Sequence, residues 1–515
     1  MGLFGGLFGG RKAPEKAAVA QLDEAEAYTP SEHDLHLAGK LDVHPRVVSE
    51  LTRAVNGGRV PKADRDARLR EQVGRHKELA IAMADAAVPD DVVAELVNEA
   101  RDAFAEGDYE AARNFLDDAA IAAVGTGRAD VGEQGNATRC LAAAHFKALN
   151  GRIERVLLDP RAASERYQQA LALTPEQAAS TRANYLHTRG MCDFEAGDLS
   201  KAEAALSSAV TVLKKAHGLH HREVGRALCD LGDLYLKMGR TSAAENHFRD
   251  GLSIYERAYG ENAIELTKPL ALLAELYSER GILYRAEPYL HRQIDIIAHT
   301  HGRDSHLTAE PLRRLAALYL KDGKRVEDAV PLLRMAIANL EHHHRGGHPD
   351  IANCRIELGR VFEALHNPAQ AETLYTQAVA LRDQLLGDSH PDVAEALLRV
   401  AGVYLAQNKT TEAKGFLGRA LDICDAAQPG GSATSGEALA MLAEMARQRK
   451  AYADAAPLFR RAVTTLQRAL GGAHPLLAET LENFARLHAD QGREMEAEAT
   501  LAEARKVRDA IAATA

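Results

Sequence analysis

Apolar residues return at a near-constant distance through the C-terminal two-thirds of the chain. One ladder reads Leu231, Leu273, Leu315, Leu358, Val400, Leu442 and Phe484. A second reads Ala202, Ala244, Ala286, Ala329, Ala371, Ala413, Ala455 and Ala497. The rungs are 42 residues apart, except for one 43-residue step that both ladders take just after Gly323. Within one unit, Leu228, Leu231 and Tyr235 share one face at helical spacing. Gly239 breaks the pattern, and Ala244, Phe248 and Leu252 make a second helical stripe. The pattern therefore predicts a helix, a tight turn and a second helix, repeated. Gly232 and Ala244 are small enough for the two helices to approach closely. A fixed period of this length means stacked copies, each burying its apolar face on its neighbours.

The period is regular over 181–515, which ends in a charged helix around Arg505-Lys506-Val507-Arg508 suited to capping the stack. Residues 89–180 read as degenerate hairpins. Phe104-Ala-Glu-Gly-Asp-Tyr-Glu-Ala-Ala112 returns as Phe194-Glu-Ala-Gly-Asp-Leu-Ser-Lys-Ala202. A longer turn is expected at Asp159-Pro160 and a loop over 125–135, which holds Gly125, Gly127, Gly132 and Gly135. Residues 43–88 read as a small helical segment cut by Pro45, Asn56-Gly57-Gly58 and Pro61. Residues 1–42 read as a Gly/Ala-rich tail with one short helix, opening on a doubled Gly-Leu-Phe-Gly. About ten units fit between 90 and 511. The pattern gives no reason for the extra residue near Lys324.

Composition narrows the chemistry. Trp is absent and aromatics are 5%, so the core must be mostly Ala and Leu, as closely packed helices allow. A net charge of −10 argues against a nucleic-acid coat, which needs a basic surface. Cys140, Cys192, Cys229, Cys354 and Cys424 form no CxxC pair. Reduced thiols in a cytoplasmic protein are expected. No apolar run is long enough for a transmembrane helix.

The units resemble tetratricopeptide repeats: Gly232, Tyr235, Ala244 and Phe248 fit that consensus. The longer period is similar to the kinesin-light-chain-like type. The loops Gly346-Gly-His-Pro-Asp-Ile-Ala352, Leu386-Gly-Asp-Ser-His-Pro-Asp-Val-Ala394 and Leu470-Gly-Gly-Ala-His-Pro475 support it. The resemblance implies an all-α, right-handed solenoid of antiparallel hairpins, whose first helices line a concave groove for a partner peptide or helix. It carries the groove positions onto Asn184, Arg226, Lys268, Arg313, Asn353, Arg360 and Arg399, with Asp233, Glu275, Glu310 and Glu395 on the same surface. Asn can pair with a peptide's N–H and C=O, and Arg can grip a carboxylate at two points. The Lys/Asn/Asn/Lys/Arg set of chaperone-binding relatives is not seen.

Other constellations are weaker. His342-His343-His344 with His348 is the densest set of metal-ligand types, but consecutive residues on a helix cannot converge on one ion. No metal or cofactor is expected. The recurring His-Pro pairs read as structural, with Pro in the first helical turn. No HExxH, GxSxG, P-loop or strand-linked GxGxxG occurs, so no enzyme is expected. The basic stretch Arg53–Lys77 carries eight cations, is interrupted by Asp64, Asp66 and Glu71, and lacks aromatics for base stacking, so it reads as a solvated face. Leu3, Phe4, Leu7 and Phe8, followed by Arg11 and Lys12, suit peripheral contact of residues 1–12 with a membrane, docking into a protein pocket including this chain's own groove, or no role. Gly6 stands where the myristoylation pattern wants Ser or Thr. The expectation is a non-catalytic scaffold or adaptor. Its alternatives are a membrane-surface organiser tethered through the tail and a regulatory sensor acting through 43–86. Self-association of an open stack is compatible with each.

Overall fold

The computed structural model describes residues 31–57, 65–125, 133–428 and 430–514. Three helices lead: α1 (Glu32–Leu41), α2 (Pro45–Gly57) and α3 (Arg65–Ala84). Ten antiparallel hairpins follow. They are α4 (Asp91–Glu106) with α5 (Tyr109–Gly125), α6 (Glu133–Val156) with α7 (Pro160–Leu173), and α8 (Ala179–Glu195) with α9 (Leu199–His217). Next come α10 (Arg222–Lys237) with α11 (Thr241–Tyr259), α12 (Thr267–Glu279) with α13 (Leu283–His301), and α14 (Ala309–Asp322) with α15 (Ala329–His343). The last four are α16 (Pro349–Ala364) with α17 (Pro368–Leu386), α18 (Pro391–Ala406) with α19 (Thr410–Ala427), α20 (Ala433–Gln448) with α21 (Tyr452–Leu470), and α22 (Pro475–Asp490) with α23 (Glu494–Thr514). Among the described residues there is no strand. The architecture is the expected right-handed α-solenoid.

The Ala ladder is buried throughout, and the Leu ladder is buried as far as Val400. The small residue on each first helix faces a large one on the second. A Cβ on Gly232 would stand 2.6 Å from the Phe248 ring, and one on Gly359 would stand 2.4 Å from Tyr375. Each hairpin turn contains one residue in the left-handed region. In six hairpins it is Gly107, Gly197, Gly239, Gly281, Gly323 or Gly492, and in the others it is Leu158, His366, Asn408 or Lys450. The turn thus demands a conformation that glycine adopts most cheaply.

The loops between hairpins follow a second rule. Gly218, Gly260, Gly302, Gly387 and Gly471 end their helices with φ between 79° and 92° and near-extended ψ. That region is essentially glycine-only. After Gly218, Gly387 and Gly471, and also before Pro349, the next helix starts on a histidine cap: Nδ1 of His221, His390, His474 and His348 accepts the N–H two residues on, at 3.1–3.3 Å. After Gly260 and Gly302 a 3-10 turn preceded by Ala263 or Ser305 intervenes instead. Pro349, Pro391 and Pro475 occupy the first turn. The His-Pro pairs are therefore structural, as expected, and the histidine ring supplies the cap. In two loops the positive-φ glycine falls late, at Gly347 and Gly431. Those loops line open pockets of about 550 and about 340 Å³.

The extra residue after Gly323 is absorbed by a 3-10 turn, Val326–Asp328, between α14 and α15. Arg325 there donates to both carboxylate oxygens of Glu287, at 2.8 Å each, and its guanidinium lies 4.3 Å from the centre of the Tyr319 ring. One apolar core runs without a break from Ala38 on α1 through α2–α5 to Val156 on α6, so residues 43–88 and the first hairpins share it. Residues 1–30 and 126–132, with the glycine doublet and Gly127 and Gly132, lie outside the described residues.

Candidate partner-binding groove

First helices of successive hairpins approach one another more closely than second helices do: α8 with α10, α10 with α12, α14 with α16, α16 with α18, α18 with α20, and α20 with α22. The stack therefore curves with its first helices inside. All seven sequence-predicted groove residues lie on these helices: Asn184 on α8, Arg226 on α10, Lys268 on α12, Arg313 on α14, Asn353 and Arg360 on α16, and Arg399 on α18.

Among the described residues, Glu310 is the predicted acid that meets a predicted base, Arg313 on its own helix, while each ion pair between neighbouring first helices brings in a residue outside the predicted set. Lys268 donates to Asp230 of the preceding first helix at 2.8 Å, and His187 of the one before reaches the other Asp230 oxygen at 2.8 Å. Burial pushes the Asp230 carboxyl up, but the hydrogen bonds from His187 and Lys268 outweigh it and hold it below the ordinary aspartate value. Arg313 pairs with Glu310 at 2.8 Å and reaches Glu357 on α16 at 3.3 Å. Arg314 bridges Glu310 at 2.7 Å and Glu275 on α12 at 3.3 Å. Arg399 grips both oxygens of Glu437 on α20. Asn353 is engaged from below: Arg382 of α17 donates to its side-chain oxygen at 2.8 Å and to Glu395 at 3.2 Å. Arg226 pairs within its own helix, with Glu223 at 2.7 Å. Asn184 and Arg360 are exposed.

Sequence reasoning missed Asp230, Arg314, Glu357 and Glu437 as members of this surface. The signal was available: Asp230, Arg314, Glu357 and Arg399 occupy one rung position of the repeat. What no spacing could show is which long side chains reach across to a neighbouring helix. Between α12 and α14 the surface dips into a pocket of about 310 Å³, floored by Ala274, Ala317 and Leu318 and rimmed by Glu275, Glu310, Arg313, Arg314 and Lys321. An apolar floor with a charged rim can seat a side chain and orient a backbone.

The weaker constellations resolve locally. His306, His343, His344 and His348 gather with ring centres 4.4–5.4 Å apart where α14, α15 and α16 meet. Among the described residues no group of three or more His, Cys, Asp or Glu is arranged to hold a metal ion. Burial pushes the thiols of Cys192, Cys229 and Cys354 up to about 12, which keeps them protonated and inert. In the basic stretch, Arg53 pairs with Glu50 at 2.9 Å, Arg75 with Glu71 at 2.8 Å, and Lys77 with Asp42 at 3.7 Å. Leu3, Phe4, Leu7 and Phe8 lie outside the described residues. Among the described residues, no helix is long and apolar enough to cross a membrane.

Comparison with known proteins adds the following. A family model described as the MalT-like TPR region matches residues 144–358, and one described as the tetratricopeptide repeat matches 350–426 and 435–510. No curated protein matches the chain. Among solved structures, BtubC from P. vanneervenii is 17% identical, over 46% of this chain and 94% of that one, with a TM-score of 0.39. A putative kinesin light chain of Podosopora anserina with nearly identical TPR-like repeats is 21% identical, over 48% of this chain and 96% of that one, with a TM-score of 0.27. Aspartyl phosphate phosphatase F from Bacillus subtilis is 14% identical, over 81% of this chain and 94% of that one, with a TM-score of 0.44.

Proposed function

Because this chain is a tetratricopeptide-repeat protein, we propose that it is a non-catalytic scaffold that captures a partner peptide or helix on its inner face. The observation that carries this reading is the ladder of ion pairs between first helices. Lys268–Asp230, Arg313–Glu357 and Arg399–Glu437 fix long polar side chains before any partner arrives. A surface ordered in advance loses little conformational entropy on binding, so more of the contact energy appears as affinity. Arg226, Arg360 and Asn184 are the inner-face groups placed to meet the partner, and the pocket between α12 and α14 receives one of its side chains. The partner is met in the cytoplasm.

The ion pairs also decide which variants are informative. Removing Lys268, Arg313 or Arg399 would loosen the scaffold as well as alter its surface. A triple variant, Asn184→Arg, Arg226→Glu and Arg360→Glu, changes the inner face and spares the links between helices. Arg334→Glu with Lys414→Glu alters exposed positions on second helices and serves as the control. With both variants matched to the native chain in helicity and melting temperature, affinity capture from native lysate is expected to lose its partner only with the triple variant. Loss with the outer control, or retention with the triple variant, would remove the inner face as the site.

A further inference from the structure

A pocket of about 360 Å³ opens far from the α12–α14 depression, between the α3–α4 connection and the first turns of α6 and α8. Its wall on α6 comes from Thr138, Leu141, Ala142 and His145, between the N-terminus and the middle of that helix. Val88, Pro89, Leu141, Ala142 and Tyr185 supply most of its wall, and Val88 is 41% exposed. Pockets of this size and lining accept compact apolar groups. His145 is part of the wall, and burial and then Arg152 lower its basicity. Asp85 stands at the rim. The α12–α14 pocket differs in kind, being ringed by Glu275, Glu310, Arg313 and Arg314.

We propose that this pocket is a docking site for the chain's own N-terminal segment, with Leu3-Phe4 or Leu7-Phe8 as the inserted pair. Three observations select this occupant. The first is chemical match: the segment carries two identical Leu-Phe pairs with flanking glycines that let backbone lie close to a wall, and Arg11 and Lys12 follow where Asp85 would meet them. The second is reach. Residues 9–30 separate Phe8 from Ser31, and 22 residues span at most ~75 Å. Ser31 caps α1, whose Ala38 shares one core with Ala86 and Val93 on either side of the pocket's connection. A body of that core's size is on the order of 40 Å across, so the tether is long enough. The third is tethering itself, which holds the segment at an effective concentration on the order of 1 mM, so even a weak contact is populated. The doubled motif raises that occupancy, since either pair can enter. Docking would keep this apolar wall covered, and a partner presenting an apolar pair of its own would compete for it.

The chain has no tryptophan, so Phe8→Trp provides one reporter in the full-length protein. Its emission is expected to be blue-shifted in the free protein and unchanged by hundredfold dilution. Excess synthetic peptide of residues 2–9 is expected to return it to the water-exposed position. So are Val88→Glu and Ala142→Glu, two positions that are not fully buried, each checked for unchanged helicity. Water-exposed emission in the free chain, from Phe8→Trp and equally from a matched Phe4→Trp, would overturn the proposal. So would a shift that appears only with phosphatidylserine vesicles, which assigns the segment to membranes, or one that fades on dilution, which assigns it to a second copy.

Discussion

At the scale of the residue, two glycine positions of the repeat are not equivalent. The hairpin turn needs a left-handed residue, and Lys450 and His366 adopt it at φ of 60° and 56°. That conformation costs a side-chain-bearing residue roughly 1–2 kcal/mol. Lys450→Gly and His366→Gly are each expected to raise stability by about 0.5–1 kcal/mol, after allowing for glycine's larger entropy in the unfolded chain. The loop glycine is stricter. Gly387 has φ 87° and ψ 155°, and Gly387→Ala is expected to cost about 1–3 kcal/mol. Chemical denaturation of the three variants checks the order, and a destabilised Lys450→Gly would contradict it. Six turn glycines were legible as a repeating letter. Leu158, His366, Asn408 and Lys450 carry no such letter, and for the last three only the register, carried across from Gly323, points to the same backbone state.

At the scale of the element, the stack is stapled by a side-chain relay on the turn side. Tyr235, Tyr277 and Tyr319, near the ends of their first helices, donate to Glu203, Glu245 and Glu287 on the preceding second helix, at 3.1, 2.7 and 2.8 Å. Arg240, Arg280 and Arg325 complete each relay from the turn. The sequence reading placed Tyr235 in an apolar stripe. The structure keeps its ring there and spends its hydroxyl on the neighbouring hairpin. The hydrogen bond from Arg325, then that from Tyr319, hold Glu287 at about 2 against an ordinary 4.5, despite an opposing push from burial. Because the folded value lies below the unfolded one, this stabilisation is complete above about pH 4.5 and is lost as pH falls towards about 2. Glu287→Gln is therefore expected to lower the melting temperature near neutral pH. The underlying loss is on the order of 1 kcal/mol, given partial solvent screening. The gap to the native chain should close on acidification. A gap that is constant with pH would mean that Glu287 acts by packing alone.

At the scale of the whole molecule, the period revealed most of the fold: helix pairing, most turn sites and the buried Ala ladder follow from one unit. The site was legible only as a surface. Register places Arg226, Lys268 and Arg313 on first helices, but whether a base faces solvent or its neighbour's acid depends on rotamer and reach, which repeat with no period. The one-residue insertion was visible and unexplained until Arg325 and its 3-10 turn were seen spanning it. The central claim is that the curved row of first helices is where a partner sits. Its most direct test is site-specific photocrosslinking in cells from four positions in otherwise native chains: Ala317 and Arg360 on the inner helices, and Arg334 and Lys414 on the outer ones. The account predicts one common partner crosslinked from Ala317 and Arg360 and absent from Arg334 and Lys414. The same partner captured from the outer positions, and not from the inner ones, would contradict it.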